Sequence, residues 1–199
     1  SNGNRERAER VLSWGPRACR ATGTDSQAQQ RAAEDESVRL LEAAESQLSK
    51  TAYLLGDRPT ALDCVVLGGL RAHTNMDPVP KRVVADYPTV VDWAERRADT
   101  WGGGGTLASV PGSTPFARHV LGEMADTYKP YALANRDAQA AGAKAFHAFI
   151  YGEDVSYLSR PYPEQSRQML VARIDELAED DRAGVRAWLG EHGLQEALS

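Results

Sequence analysis

Tyr53-Leu54-Leu55-Gly56-Asp57-Arg58-Pro59-Thr60-Ala61-Leu62-Asp63 is the stretch on which the fold reading turns. It reads as the end of one helix, a tight turn and the start of another. Gly56 is the residue type that tolerates the left-handed conformation beyond a helix C-terminus, so the upstream helix is expected to stop there. Thr60 stands three residues before Asp63. Its hydroxyl is placed to accept the Asp63 backbone N–H, while the Asp63 carboxylate reaches back to the Thr60 backbone N–H. Asp in place of the usual Glu or Gln also suits the positive end of the helix. The flanking pair, Pro59 and Cys64, makes a weak hydrophobic staple, so this start is expected to rest on the box and on tertiary packing.

Upstream, Leu41, Ala44, Leu48, Ala52 and Leu55 recur at helical spacing and predict a long helix from the Asp25-Ser26 cap to about Leu55. Its first part, Gln27 to Glu36, is polar and Ala-rich. Downstream, Ala61 to Ala72 is apolar nearly all round and reads as a central, buried helix. Cys64 then reads as core, and Gly68-Gly69 as points of close helix contact, because two mid-helix glycines otherwise cost stability. Asp77-Pro78-Val79-Pro80 breaks that run, and Pro88 opens a helix carrying Trp93.

Leu-Leu-Gly, Pro-Thr-Ala-Leu-Asp and the later Tyr87-Pro88-Thr89-Val90-Val91-Asp92-Trp93-Ala94-Glu95-Arg96-Arg97 form a set over Val38 to Arg97. The set resembles the C-terminal all-helical domain of glutathione S-transferases, where a Ser/Thr-x-x-Asp box opens the buried helix at the heart of the domain. The resemblance implies an all-α bundle that supplies one wall of a hydrophobic substrate pocket and part of a homodimer interface. It also implies glutathione as co-substrate and a small electrophile as acceptor. In that family the thiol-activating Tyr, Ser or Cys and the glutathione site lie on an N-terminal thioredoxin-like domain. Nothing here matches that domain, so no residue carries over as catalytic, and this chain alone is expected to be inactive.

Composition bounds the remaining classes. The chain has 199 residues, 23 basic against 28 acidic, and a net charge of −5. The signs are interspersed, as in Arg5-Glu6-Arg7-Ala8-Glu9-Arg10, which argues against a nucleic-acid footprint. No apolar run reaches membrane-spanning length. Two cysteines, Cys19 and Cys64, are too few for a disulfide framework and lack metal-type spacing, so a reducing cytoplasm is the expected setting. Ser1-Asn2-Gly3 reads as a scar of tag removal, which leaves room for natural sequence upstream.

The Gly102-to-Gly105 run, continuing to Ser113, reads as a flexible linker. It divides the chain into a helical domain over 4–101, a linker over 102–114 and an extension over 115–199. In the extension, Thr114-Pro115 and Pro130 start helices. Phe146-His147-Ala148-Phe149-Ile150-Tyr151 and Val155-Ser156-Tyr157-Leu158 flank a Gly-Glu-Asp turn and predict a small hairpin near 146–158. Pro163 opens a helix with Leu170, Ile174 and Leu177 on one face, and a last helix holds Val185, Trp188 and Leu189. This order is similar to a bacterial group of glutathione S-transferase-like proteins with an extended C-terminal region.

Each candidate site residue also has a plainer role. Cys19 stands between Arg17 and Arg20, whose charge favours a thiolate, but an ordinary half-buried thiol is the favoured reading. His73, with Asn75 and Asp77 behind it, reads as a helix-end cap before a ligand. His119, His147 and His192 lack zinc spacing. Trp14, Trp101 and Tyr128 are the candidates for lining a substrate pocket, against the alternative that the tryptophans anchor packing. A non-catalytic interaction or scaffold module on the same helical fold is the competing function, since fold does not settle function.

Overall fold

The computed structural model describes residues 2–96, 101–109 and 113–199; Ser1, residues 97–100 and residues 110–112 of the glycine-rich stretch lie outside the described residues. Among the described residues the chain is mainly helical, with one two-stranded antiparallel hairpin. Its contacts gather into two compact units, each discontinuous in sequence: 36–123 with 178–193, and 1–35 with 124–177 and 194–199. Each unit thus draws on both sides of the glycine-rich run.

In the first of these, helix α3 (Gln27–Leu48) leads to α4 (Ala61–Gly69), a π-turn (Leu70–Thr74), α5 (Pro78–Val84), α6 (Pro88–Glu95) and α7 (Pro115–Asp126), with α10 (Glu179–Glu191) returning from the C-terminal part. Ala44, Leu48, Leu54, Leu70, Val84, Val90, Trp93, Ala94 and Phe116 form its core. The Thr60–Asp63 capping box opens α4 as the spacing requires. Asp63 is 1% exposed and accepts more than the box asks of it. The Leu54 N–H donates to Oδ1 at 2.9 Å, and the Thr60 N–H and hydroxyl donate to Oδ2 at 2.7 and 2.8 Å.

Three expectations about this region are corrected. The long helix ends at Leu48, not Leu55, so helical phase is lost and Leu54 rather than Leu55 is the fully buried residue. Gly56 is not a helix cap. Tyr53 and Gly56 exchange backbone hydrogen bonds at 2.8 and 3.3 Å across a tight turn, and the glycine-rich stretch pairs beside it. The Asp57 N–H reaches Thr106 O at 2.8 Å and the Ala108 N–H reaches Leu55 O at 2.9 Å. Gly56 has φ +134°, and a Cβ there would stand 2.6 Å from the Thr106 carbonyl oxygen. Gly105, at φ +98°, would meet the Asp57 carbonyl oxygen in the same way, so the far end of the run read as a flexible linker is a docked segment.

Helix α4 is not buried all round. Cys64 is exposed, Val65 is 73% exposed, and a Cβ at Gly68 or Gly69 would meet no neighbour. The face toward the core is Leu62, Asp63, Val66, Leu67 and Leu70. Glu45 of α3 caps α6 from a distance: the Thr89 and Val90 N–H groups donate to its two carboxylate oxygens at 3.1 and 2.9 Å. These bonds hold its pKa below the usual range although burial alone pushes it up. Thr114 caps α7 and donates to the Leu54 carbonyl oxygen at 2.9 Å, fixing the turn to the next helix.

The other unit holds α1 (Asn2–Leu12), α2 (Trp14–Thr22), α8 (Tyr128–Ala140), the hairpin strands β1 (Ala145–Ile150) and β2 (Glu153–Leu158), α9 (Pro161–Asp175) and a terminal 3-10 turn (Gln195–Leu198). The break between α1 and α2 falls at Ser13, and Gly15-Pro16 occupy the first turn of α2, where proline is tolerated. The hairpin turn is Tyr151-Gly152, both at positive φ as a two-residue loop of the twisted type requires, so Glu153 and Asp154 belong to β2. Phe146, Ala148, Ile150, Val155 and Tyr157 face α8, where Ala138, Tyr131 and Ala134 complete a second core. The buried residues of α9 are Glu164 and Arg167, whereas Leu170 is 46% exposed and Leu177, just past the helix, is 37% exposed. Of the expected apolar face, Leu170 and Leu177 therefore lie outward and Ile174 is half-buried. Arg167 pairs with Glu164 through both its Nε (2.9 Å) and an Nη (3.0 Å), and its other Nη reaches the Ala197 carbonyl oxygen at 3.2 Å.

Candidate functional site: the cleft between α2 and β2

The turn Gly23-Thr24-Asp25-Ser26 brings α2 alongside β2. Gly23, at φ +70°, lies against the ring of Tyr157: a Cβ there would stand 2.1 Å from the Tyr157 Oη. No side chain fits between them, so the glycine sets the approach of helix to hairpin. Beyond that contact the two elements diverge and leave a cleft of about 840 Å³.

Three arginines and two aspartates are among the residues that line it: Arg17, Arg20, Arg160, Asp25 and Asp154. Each cation is held differently. Arg17 Nε donates to the Ser13 carbonyl oxygen at 3.2 Å. Arg160 is fixed through its backbone by Asn135, which is fully buried and clamps the Arg160 N–H and C=O with two 2.9 Å hydrogen bonds. Arg20 makes no hydrogen bond or ion pair among the described residues. Of the acids, Asp154 is paired with His147 Nδ1 at 2.9 Å.

Gln29 lines the same cleft and is 6% exposed. Its Oε1 accepts the backbone N–H groups of Asp25 and Ser26 at 3.0 and 3.2 Å, so the oxygen is saturated and the amide orientation fixed. The amide NH2 has no partner among the described residues. Ser26 donates to Glu153 Oε2 at 2.7 Å, which ties the turn to β2. Val155, Tyr157 and Leu158 supply apolar surface.

A smaller cavity of about 340 Å³ opens beside it, lined by Tyr128, Tyr131, Tyr151 and Tyr157 with Ala21, Thr22, Thr127 and Ile150. Tyr131 meets Phe146 and Tyr157 edge-on, with ring centroids 5.4 and 5.1 Å apart. Burial pushes the Tyr128, Tyr131 and Tyr157 hydroxyls above their ordinary pKa, which keeps these walls neutral.

Of the residues expected to line a pocket, Tyr128 lines this smaller cavity. Trp14 stands 70% exposed on α2, and Trp101 is 40% exposed with its Nε1–H on the Gly104 carbonyl oxygen at 2.8 Å. Cys19 is partly buried on α2. The carbonyl oxygen of His73 takes the Met76 and Asp77 N–H groups, which closes the π-turn. Among the described residues, no three His, Cys, Asp or Glu side chains stand together in reach of one ion. Sequence reading missed Gln29, Asn135 and Arg160. The Asn135 clamp joins residues 25 apart in the chain and leaves no local signal.

Comparison with known proteins adds one positive result. Residues 10–99 match the glutathione S-transferase C-terminal domain. The chain therefore carries a glutathione S-transferase-like helical domain, and the match covers 90 of its 199 residues. No curated protein and no solved structure matches the chain. No helix among the described residues is long and apolar enough to cross a membrane.

Proposed function

We propose that this transferase-like domain is the helical, substrate-side part of a glutathione S-transferase-like protein. In this reading a thioredoxin-like domain binds and ionises the glutathione thiol, and the helical part holds the electrophile to which the thiol adds. The match over residues 10–99 carries the proposal, supported by the buried Thr60–Asp63 box at the start of α4. A homodimer and a cytoplasmic setting in a bacterial cell belong to the same reading. The test is the native reading frame upstream of Asn4. A strand–helix–strand domain with a Tyr, Ser or Cys near its start and an internal proline turn supports the proposal. A start codon at or next to Asn4 overturns it.

One observation favours a second reading. The outward face of α4, with Cys64, Val65, Gly68 and Gly69 open, is apolar surface on the helix that the sequence marks as central. Such a face suits a covering protein partner, as in a non-catalytic interaction module.

A further inference from the structure

We infer that the cleft between α2 and β2 is a binding site for an organic anion with an apolar body, such as an aryl or alkyl carboxylate or sulfonate. This inference stands apart from the proposed conjugation reaction, since it rests on residues of the hairpin and of the turn after α2.

Four observations converge. The cleft is large enough for a drug-sized molecule, at about 840 Å³. Arg20 and Arg160 are among the residues that line it, and an Arg guanidinium suits planar oxyanions through paired N–H donors. Gln29 is buried with its oxygen occupied, so what it offers the cleft is a donor only. The Gln29 amide NH2 has no partner among the described residues, so an incoming oxyanion can accept from it without displacing a protein hydrogen bond. Val155, Tyr157 and Leu158 then receive the apolar part of the ligand.

The carboxylates narrow the prediction. Asp25 and Asp154 both line the cleft and oppose an anion, and Asp154 also meets His147 Nδ1 at 2.9 Å. The scaffold is built independently of any ligand: Asn135 holds Arg160 by its backbone, and Gly23 against Tyr157 sets the width. Substitution of an exposed Arg20 side chain therefore leaves the walls in place.

The test uses naphthalene-1-sulfonate as probe and 1-naphthol as its neutral counterpart, titrated into the full chain by calorimetry. The sulfonate is expected to bind at least tenfold more tightly than the naphthol, with affinity falling as salt is raised. Arg20→Gln and Arg160→Gln should each weaken sulfonate binding by about fivefold. Gln29→Glu keeps the acceptor for Asp25 and Ser26 but replaces the donor by negative charge, so binding should be lost while helicity by circular dichroism is retained. Asp25→Asn should strengthen binding. Equal affinity for the two probes, or sulfonate binding unmoved in the Arg20→Gln/Arg160→Gln double variant, overturns the inference. Neither result bears on the upstream reading frame.

Discussion

Single side chains with several obligations carry much of this architecture, and Asp63 is the clearest. A capping aspartate ordinarily satisfies one helix end. Here it also takes the Leu54 N–H from the preceding turn, so three donors converge on one buried carboxylate. Removing it leaves the buried Leu54 N–H and the half-buried Thr60 donors without their acceptor. Asp63→Ala should therefore destabilise the chain by about 2–4 kcal/mol, more than an ordinary cap, as read from urea denaturation. A loss under about 1 kcal/mol would mean that water replaces the carboxylate and that the box is peripheral. Gly23 makes the opposite kind of contribution, by having no side chain. Gly23→Ala adds a methyl group in contact with Tyr157 at positive φ, and should cost roughly 1–3 kcal/mol and loosen the hairpin against α2. Hydrogen exchange of the β2 amides would read that loosening directly.

At the scale of elements, what the sequence disclosed was local, and what it hid was long-range. The Thr60–Asp63 start of α4, the Pro88 start of α6 and the hairpin near 146–158 each rest on chemistry within a few residues, and each is present. The end of α3 was misread because Ala52 and Leu55 continue its apolar period, while the backbone has already turned to exchange hydrogen bonds between Tyr53 and Gly56. Gly56 and Gly105 signalled a cap and a linker. Their actual duty is to let two backbone segments touch, which no single-segment pattern can express. The same reason conceals Glu45, which caps α6 from 44 residues away, and Asn135, which positions Arg160. The candidate cleft was legible only through Arg17 and Arg20, the charges beside Cys19. Thr114→Val tests a long-range link of this kind: it removes the α7 cap and the bond to Leu54 together. The expected cost is about 1–2 kcal/mol in denaturation experiments, and a neutral result would mean that the turn is held by its backbone pairing alone.

Across the whole molecule, acidity is the variable to which the packing is most exposed. Glu123 is held below the usual carboxylate range by the Arg39 hydrogen bonds, and Glu164 by those from Arg167, each against the opposing effect of burial. Glu45 is shifted the same way by its bonds to Thr89 and Val90, which together outweigh burial. A carboxylate whose folded pKa is depressed contributes stability in full above its unfolded value, near 4.3, and loses it as pH falls through the folded value. Stability should therefore be level from pH 7 to 5 and fall below about pH 4.5, with Glu164→Gln flattening part of that fall. An unchanged acid limb in Glu164→Gln would remove the Glu164–Arg167 pair from the account.

On the proposed function, this chain is the helical part of a glutathione-dependent pair of domains and does not itself hold the thiol substrate. Calorimetric titration of glutathione into the chain tests it most directly. The account predicts no binding in the micromolar range. Micromolar affinity would contradict it, and would place a complete glutathione site within these 199 residues.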